Sequence, residues 1–364
     1  MKRIICTVSN DLTYDQRMIR ICGTLAEAGY EVTLIGRELP SSRQLQAQPF
    51  AQKRIKLLFN KGKLFYLALN FRLFFLLHTS RFDIVYAVDL DTLLAGRLAS
   101  FFRGKTCVFD AHEYFTEVPE LAKRPVSKRV WEVAARLAIP GLKHAITVCG
   151  SLADVFEKRY GVHFEVIRNV PKSRPPILSN EKAESPFVLI YQGVLNDGRG
   201  LEECIIAMKR LPDTQLWICG EGDLSEELRQ IVQKNGLSGQ VKFWGKLPPD
   251  ELAKLTTQAH LGLNLLKNKG LNYYYSLANK AFDYIQAGLP SLGMKFPEYQ
   301  LLNEKYDVFQ LIDELDSGAI VAAVTQLRSD KYRYEQLANN CKEAAKQLNW
   351  EIESRKLLDF FSQI

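Results

Sequence analysis

Short apolar runs alternate with amphipathic segments along the first half of the chain. Residues 3–8 form one such run, and residues 17–28 carry apolar side chains at helical spacing before Gly29. The same pattern predicts strands at residues 31–35, 83–88, 105–109 and 145–148, and a helix that is capped by Asp91 and continues to Ala99. Such alternation of strands and helices predicts a parallel sheet with helices on both faces.

The alternation stops in a proline-rich, polar stretch at residues 169–186 and then begins again. We interpret this stretch as an interdomain linker. Beyond it, strands are predicted at residues 187–192, 215–219, 241–244 and 261–265, and helices at residues 200–209, 225–235, 249–258 and around Lys280. The predicted fold class is therefore α/β, with two Rossmann-like domains facing across a cleft. Ligands of such sheets bind at the carboxyl ends of the strands.

The length of 364 residues also favours two domains, because it exceeds the size of one ordinary hydrophobic core. The predicted boundaries are a first domain at residues 1–168, the linker at 169–186, a second domain at 187–345 and an amphipathic terminal helix within 346–364.

The composition is that of a folded globular protein, with 47% hydrophobic and 24% charged residues. None of the seven cysteines belongs to a Cys-x-x-Cys pair, which favours buried thiols in a reducing cytoplasm over metal or disulfide use. The pattern shows no signal peptide and no run of ~20 uncharged apolar residues. We therefore expect a cytoplasmic protein without a spanning helix.

Positive charge is concentrated in the first half of the chain. Residues 1–168 hold 25 Lys and Arg against 16 Asp and Glu, whereas residues 169–364 hold 23 against 25. Between Glu38 and Asp83 there is no acidic residue, but eight basic ones stand among phenylalanines and leucines. This pattern predicts that residues 43–81 contact an anionic membrane surface, so that the protein is peripheral on the cytoplasmic face.

The alternative for residues 64–77 is a helix buried in the first domain. We expect a combination, in which the helix packs while the basic loop and its aromatic side chains face lipid. Nucleic acid is not an expected partner, because no binding module for it appears.

The helix around Lys280 carries the most informative chemistry. Lys280 and Asp283 are three residues apart and share one helix face, and the helix ends before Gly288 and Pro290. A cation that holds phosphate thus lies beside an anion that holds ribose hydroxyls, which is the chemistry needed to bind a nucleotide diphosphate.

Two glycine turns follow predicted strands of the same sheet. The first runs from Gly193 through Arg199 to a helix start, and the second is Gly220-Glu221-Gly222. Glycine lets a ligand approach the backbone, helix starts attract phosphate, and arginine adds a forked donor. A plain strand–helix turn is the alternative for each, but together with Lys280 they converge on one sheet edge.

These pieces resemble the donor domain of GT-B glycosyltransferases, specifically the retaining family-four type also called glycosyl transferases group 1. The resemblance is carried by Gly193…Arg199-Gly200-Leu201-Glu202, Cys219-Gly220-Glu221-Gly222, Phe243-Trp244-Gly245 and Asn279-Lys280-Ala281-Phe282-Asp283-Tyr284…Gly288-Leu289-Pro290. The first domain matches more loosely, through Asp15-Gln16-Arg17, Ala28 to Val32, Asp110-Ala111-His112-Glu113 and Ile167-Arg168-Asn169.

The resemblance implies roles for matching positions. Arg199 and Lys280 would hold the sugar diphosphate, and Asp283 would hold the ribose. The nucleotide-sugar site would also include Gly193, Gly220, Glu221, Gly222, Tyr275 and Asn279. The terminal helix would cross back to the first domain. Two positions depart from the family pattern: Tyr275 replaces a frequent glutamate, and Val194 replaces an arginine that often follows the first glycine.

In the first domain, His112 follows a predicted strand, and the resemblance places a sugar-contacting residue near it. Asp110 and Glu113 are candidates for acceptor hydroxyls, as are Asp15 and Arg17 on the acceptor side. The alternatives are a loop-packing role for His112, a cap at Asp110 and an ion pair at the start of the helix for Asp15 and Arg17. Capping also explains Asp89-Leu90-Asp91 better than metal binding does.

The sequence therefore predicts a glycosyltransferase that moves a sugar from a nucleotide diphosphate donor to a hydroxyl of a glycan or lipid-linked acceptor. Its expected pathway is cell-surface polysaccharide or glycolipid synthesis. By resemblance the reaction retains configuration and needs no metal or other cofactor, with Arg199, Lys280 and His112 as catalytic residues. A nucleotide-sugar epimerase of the same fold and a degenerate nucleotide-binding partner protein are the alternatives.

Overall fold

The computed structural model describes residues 1–122, 124–173 and 186–364, and these form two compact units. Unit 1 comprises Met1–Asn169 together with Ile352–Ile364, and unit 2 comprises Val170–Glu351. Most of the predicted linker, residues 174–185, lies outside the described residues.

The described part of unit 1 contains a sheet of seven strands in the order β3-β2-β1-β4-β5-β6-β7, and every neighbouring pair is parallel. The strands are β1 (Arg3–Thr7), β2 (Glu31–Arg37), β3 (Ala51–Ile55), β4 (Ile84–Val88), β5 (Thr106–Ala111), β6 (His144–Thr147) and β7 (Glu165–Val166). The central β4 is buried along its whole length, as expected for a parallel sheet with helices on both faces.

The helices of unit 1 follow the strands in the predicted alternation. They are α1 (Gln16–Glu27), α2 (Gly62–Thr79), α3 (Asp89–Arg103), α4 (Pro119–Ala122), α5 (Pro125–Ala138) and α6 (Gly150–Tyr160), with 3₁₀ turns at Leu12–Tyr14 and Phe115–Glu117. One side of α2 packs on the sheet through Phe65, Leu69, Leu73 and Leu77, which share a core with Ile5, Ile35 and Val85.

The described part of unit 2 contains a second parallel sheet, with six strands in the order β10-β9-β8-β11-β12-β13. The strands are β8 (Phe187–Gln192), β9 (Thr214–Cys219), β10 (Val241–Gly245), β11 (Leu261–Asn264), β12 (Ser291–Met294) and β13 (Phe309–Ile312).

Eight α-helices complete the described part of unit 2, and a ninth begins in it. They are α7 (Leu201–Ala207), α8 (Ser225–Lys234), α9 (Pro249–Gln258), α10 (Leu271–Tyr274), α11 (Asn279–Gln286), α12 (Pro297–Tyr306), α13 (Ser317–Ser329), α14 (Lys331–Ala345) and α15 (Trp350–Ser362). The first of these helices is shorter than predicted, because the chain tightens into a 3₁₀ turn at Met208–Arg210.

The α/β fold class is confirmed by these two parallel sheets. In each sheet the strand order reverses beside the first strand, between β1 and β4 and between β8 and β11. At such a point the connections that follow the two neighbouring strands run to opposite sides of the sheet. The carboxyl ends of these strands are therefore open to ligands. Both candidate sites described below lie at these positions.

The terminal helix α15 packs on unit 1 over its last turns. The ring of Phe361 lies 5.9 Å from that of Tyr30 and 6.1 Å from that of Tyr86, measured between centroids. The backbone N–H of Arg168 donates to Glu353 at 2.9 Å. Because Phe361 is 1% exposed among these neighbours, the C-terminal residues are part of the core of unit 1.

One local prediction was wrong. The helix after β4 begins at Asp89, two residues before Asp91, and its N-cap is Val88. Asp91 is consequently a buried residue of the first helical turn and does not cap it. Asp89 takes a φ of 54°, in the left-handed region that non-glycine residues rarely adopt.

Among the helices of the described residues, none is long and apolar enough to cross a membrane. All seven cysteines are free thiols, and six of them are buried.

Candidate functional site

The candidate donor site lies in unit 2, at the carboxyl end of β8. This strand ends in Tyr191 and Gln192, and the chain then turns at Gly193. Helix α11 brings Lys280 to the same place, because its Nζ lies 3.7 Å from the centre of the Tyr191 ring. The structure therefore joins two of the predicted pieces, the first glycine turn and the helix around Lys280.

Lys280 is buried to 9% exposure, and its Nζ has no hydrogen-bond partner among the described residues. Burial, and secondarily the nearby positive charge of Arg199, lowers the pKa of Lys280 well below its ordinary value. An ammonium group is costly to bury without an anion, because water no longer solvates it. The site thus has a position for negative charge that no described side chain fills.

Arg199 is the second cation at this position. Its guanidinium lies 5.1 Å from the centre of the Tyr273 ring, and its buried Nε has no partner in the described part of the chain. The aromatic face orients the planar guanidinium without using its N–H donors. Donors of this fork therefore remain available to an anion.

Asp283 is fixed by a chain of hydrogen bonds that begins on a neighbouring helix. Thr256 donates to Gln192 Oε1 at 3.0 Å, and Gln192 Nε2 donates to Asp283 Oδ2 at 3.1 Å. Because the side-chain amide of Gln192 is bonded through both its oxygen and its nitrogen, it orients the carboxylate of Asp283 from the end of β8. Asp283 is half-buried and one helical turn from Lys280, as the spacing predicted.

The two glycine turns pack backbone against backbone. A Cβ on Gly220, whose φ is 145°, would lie 1.9 Å from the carbonyl oxygen of Gly193, and one on Gly222 would lie 2.6 Å from Leu195 N. Leu195 N–H also donates to the carbonyl of Glu221 at 3.3 Å. Glycine is therefore required here by contact between the two turns themselves, a reason that sequence reasoning missed.

Three other predicted residues border this region. Glu221 is exposed and pairs with Arg229 at 2.8 Å, and that hydrogen bond lowers its pKa. Asn279 is exposed at the first position of α11, and the half-buried Tyr275 contacts the ring of Tyr274 at a centroid distance of 5.1 Å. Val194 is exposed in the first turn, and its carbonyl accepts from the Tyr191 hydroxyl at 2.9 Å.

In unit 1 the candidate acceptor-side residues surround a buried ion pair. Arg17 donates to Asp110 Oδ1 at 2.9 Å and to the carbonyl of Ile167 at 2.9 Å, and Tyr86 donates to Asp110 Oδ2 at 2.7 Å. Asp110 has no exposed surface and Arg17 is 3% exposed. The expectation that they contact an acceptor directly needs correction, because both are saturated inside the unit.

His112 is the half-buried end of this network. Its Nε2 lies 2.8 Å from Asp110 Oδ2, and its backbone N–H donates to Asp89 Oδ1 at 2.9 Å. Burial opposes protonation of His112, but the carboxylates of Asp110 and Asp89 outweigh burial and raise its pKa. For Asp110, burial acts to raise the pKa. The positive charge and hydrogen bonds of Arg17 and His112 outweigh burial and hold the pKa of Asp110 below its ordinary range.

The remaining candidates in unit 1 have local partners. Asp15 caps α1 by accepting from Met18 N–H at 3.0 Å. The alternative weighed for it was an ion pair with Arg17, but Arg17 pairs with Asp110 instead. Glu113 is half-buried directly after His112.

Burial raises the pKa of Asp91 to about 6 and also raises that of Asp89. Across the described residues, no group of three or more His, Cys, Asp and Glu side chains is placed to hold a metal ion.

Sequence reasoning did not find Tyr191, Gln192, Tyr273, Thr256 or Tyr86. A weak signal for Gln192 was present, since it is the polar last residue of the apolar strand β8. The aromatic residues gave none, because aromatic side chains in or near strands are usually core residues.

Comparison with known proteins assigns the family. Residues 16–172 match Glycosyltransferase Family 4, and residues 177–348 match Glycosyl transferases group 1. The lipopolysaccharide core biosynthesis glycosyltransferase LpsD of Rhizobium meliloti (strain 1021) is 27% identical over 193 residues, which are 51% of this chain and 53% of LpsD. The matched segment thus spans about half the length of that curated relative.

Solved structures support the same fold. Sucrose-phosphate synthase of Thermosynechococcus elongatus has a TM-score of 0.81 at 18% identity, covering 100% of this chain and 99% of that one. HepE of Anabaena, solved with UDP-glucose, has a TM-score of 0.76 at 15% identity and full coverage of both chains. The chain belongs to the group 1 glycosyltransferases of the GT-B fold, which confirms the resemblance seen in the sequence.

The contact between the glycine turns gives a stability prediction. Gly220→Ala should lower the free energy of unfolding by about 3 kcal/mol, because the new Cβ overlaps a backbone oxygen and the φ is unfavourable. Urea unfolding measures the loss. Gly239→Ala is the control, since a Cβ there meets nothing within 4 Å, and equal losses in both variants would contradict the packing argument.

The burial of Lys280 gives a second prediction. Lys280→Met keeps an apolar stem and removes the amine, so it should raise the free energy of unfolding by about 1–2 kcal/mol. Lys269→Met, which removes an exposed ion pair with Asp197, should change it by less than ~1 kcal/mol. Chemical unfolding at neutral pH makes the comparison, and a Lys280→Met protein less stable than the parent would contradict it.

The advantage of Lys280→Met should also depend on pH. Between the lowered pKa of folded Lys280 and its ordinary value of 10.5, the unfolded chain binds one proton more than the folded chain. The parent therefore gains stability as pH rises, by at most about 1.4 kcal/mol per unit. The difference between parent and variant should shrink toward alkaline pH, and a constant difference would show that folded Lys280 stays charged.

Proposed function

We propose that this protein transfers a sugar from a nucleotide diphosphate sugar to a hydroxyl of a glycan or lipid-linked acceptor, in the synthesis of a cell-surface polysaccharide or glycolipid. Family membership supports the reaction class, and the UDP-glucose complex of HepE supports a nucleotide sugar as donor. The similarity to LpsD supports a glycan or glycolipid product. The proposal includes retention of configuration, a reaction without metal ion, and peripheral membrane contact through residues 43–81.

The observation that carries the proposal is the buried Lys280 amine, which has no partner among the described residues and lies next to Arg199. A diphosphate supplies the negative charge that this position lacks. Its arrival would restore the proton on Lys280, because an adjacent anion favours the charged amine. Two cations from separate segments would then hold the phosphates.

Asp283 fits the ribose end of the donor. A carboxylate accepts hydrogen bonds from two neighbouring hydroxyls, and Gln192 already orients one of its oxygens. We assign the rest of the nucleotide-sugar contacts to Gly193, Gly220, Glu221, Gly222, Tyr275 and Asn279. Tyr275 presents a neutral phenol where the family often has an acid, so its contact to the sugar would be a single hydrogen bond.

Catalysis would depend on stabilising the leaving group. As the bond from sugar to diphosphate breaks, negative charge grows on the phosphate oxygens, and positioned cations stabilise that charge more than they stabilise the ground state. Lys280 and Arg199 are suited to this role because both are oriented before the ligand binds. In unit 1, His112 would contact sugar or acceptor hydroxyls, with Asp110 as its positioning residue.

Single substitutions test these roles. Lys280→Ala and Arg199→Ala should each lower acceptor-dependent release of nucleoside diphosphate about 100-fold or more, as expected when a charge-stabilising donor is lost. Lys346→Ala, which removes an exposed ion pair with Glu343 away from the site, is the matched control and should retain turnover. Near-parental turnover in both site variants, with all proteins folded by circular dichroism, would overturn the assignment.

The reaction class is tested by a panel of nucleotide sugars incubated with and without candidate acceptors. A thermal-shift screen first selects the nucleotide diphosphate that raises the melting temperature, since binding stabilises the folded state. Acceptor-dependent release supports transfer. A changed sugar nucleotide without acceptor would identify an epimerase, and binding without turnover would identify a degenerate partner protein, for which Tyr275 and Val194 provide the reason.

A further inference from the structure

Three neighbouring helices of unit 1 carry apolar side chains on their solvent side. Each of α2, α3 and α5 contributes four large exposed ones: Leu64, Leu67, Phe71 and Phe75 on α2; Leu94, Leu98, Phe101 and Phe102 on α3; and Val126, Val130, Val133 and Leu137 on α5. We call this set of twelve side chains the three-helix face.

Spacings of three or four residues, with Phe102 directly after Phe101 on α3, make each set a continuous stripe along its helix. On α2 the stripe lies opposite the buried positions that pack on the sheet, which explains why this helix is apolar nearly all round. A fully buried helix was the alternative for residues 64–77, but within the described part of unit 1 only one side of α2 is covered.

Contacts between the helices make the stripes neighbours. The ring of Phe74 on α2 lies 6.2 Å from that of Phe102 on α3. The ring of Tyr66 on α2 lies 4.9 Å from that of Trp131 on α5. Arg97 of α3 donates to the carbonyl of Pro140, just after α5, at 2.7 Å. The three helices therefore form one layer with a common outer surface.

The three-helix face exposes several large apolar side chains. Phe101, Phe71 and Phe102 are 78%, 66% and 64% exposed. At ~200 Å² for each phenylalanine, these three alone expose about 400 Å², which is the size of the largest apolar patch on a typical monomer. The nine other side chains add to this area, which makes the face a candidate docking surface.

The charged side chains on the three helices themselves are mostly basic, although Lys128 pairs with Glu117 at 2.9 Å. Helix α2 contains no acidic residue, and the basic side chains of the three helices are Lys63, Arg72, Arg97, Arg103, Lys128, Arg129 and Arg136. Their acids are Asp89 and Asp91 in the first turn of α3, with Asp91 buried, and the half-buried Glu132 of α5. An apolar surface with basic surroundings is complementary to anionic lipid.

A basic groove adjoins the outer edge of the face. It encloses about 560 Å³ and is lined by Lys53, Arg54, Lys56, Arg72, Glu38, Phe75 and other side chains of β3 and α2. Arg54 is paired with Asp11, and Lys56 lies 3.6 Å from Glu38. Phe75 belongs to both the groove and the three-helix face, so an acyl chain and an anionic headgroup would meet at this residue.

We propose that the three-helix face is the surface on which unit 1 docks to an anionic lipid bilayer, with the basic groove beside it receiving lipid phosphate. The helices lie in the membrane plane, and their apolar stripes enter the boundary between headgroups and acyl chains. This inference deepens the membrane contact within the proposed function, and it extends that contact from residues 43–81 to α3 and α5. A lipid-linked acceptor would reach the enzyme from the same bilayer.

Vesicle binding by the full chain tests the inference. The parent should sediment with vesicles of equal phosphatidylglycerol and phosphatidylcholine, and much less with phosphatidylcholine alone. The double variant Leu67→Glu/Phe101→Glu should lose about tenfold or more of this affinity, because each glutamate removes apolar contact and adds repulsion. Lys53→Glu/Arg72→Glu should mainly reduce the dependence of binding on salt.

Leu301→Glu/Tyr332→Glu is the matched control. Both residues are exposed large side chains of unit 2, and this pair should retain binding. All variants should keep the parental thermal shift with nucleotide diphosphate, which separates a failure of membrane docking from a failure of the proposed donor chemistry.

Three results would overturn the inference. Two of them concern the vesicles, namely a parent that ignores the anionic vesicles at low salt and a control pair that loses as much binding as the three-helix pair. The third is a parent that sediments as a dimer while Leu67→Glu/Phe101→Glu is a monomer and vesicle binding is absent from both, which would assign the face to a second copy of the chain.

Discussion

The buried amine of Lys280 is the constraint on which the candidate donor site depends. Its Nζ is removed from water, lies against the ring of Tyr191 and has no hydrogen-bond partner among the described residues. Burying such a group costs stability, and Arg199 increases the cost by adding like charge. A ligand that supplies the missing anion would explain why the protein keeps a buried amine that lowers its stability.

The candidate site in unit 1 is built in the opposite way. Arg17 and Asp110 are both buried and form an ion pair with each other. Tyr86 donates a further hydrogen bond to Asp110, and the carbonyl of Ile167 accepts one from Arg17. A buried ion pair that is fully bonded needs no ligand. It instead holds the half-buried His112 in a fixed orientation and raises its pKa. The network in unit 1 therefore positions one side chain, whereas the cations in unit 2 lack an anion among the described residues.

The outer surface of unit 1 carries apolar side chains that nothing in the described part of this unit covers. Helices α2 and α3 cover the sheet with one side each and leave a second apolar side in water. Nothing within the described part of unit 1 covers that second side, and the basic residues around it favour an anionic partner. The proposed donor chemistry and the proposed membrane contact thus belong to different units, so each can be tested without the other.

The local pattern by itself determined the alternation of strands and helices, the parallel sheets, and the shared helix face of Lys280 and Asp283, because these depend on residues close together in the chain. Tertiary structure alone decided that Lys280 is buried with no partner in the described chain, that Asp110 faces Arg17 instead of an acceptor, and that the stripes of three helices adjoin. These outcomes depend on segments far apart in sequence, such as Arg17 and Asp110, whose separation is 93 residues. Periodicity reports which face of an element is apolar, but only packing decides what covers it.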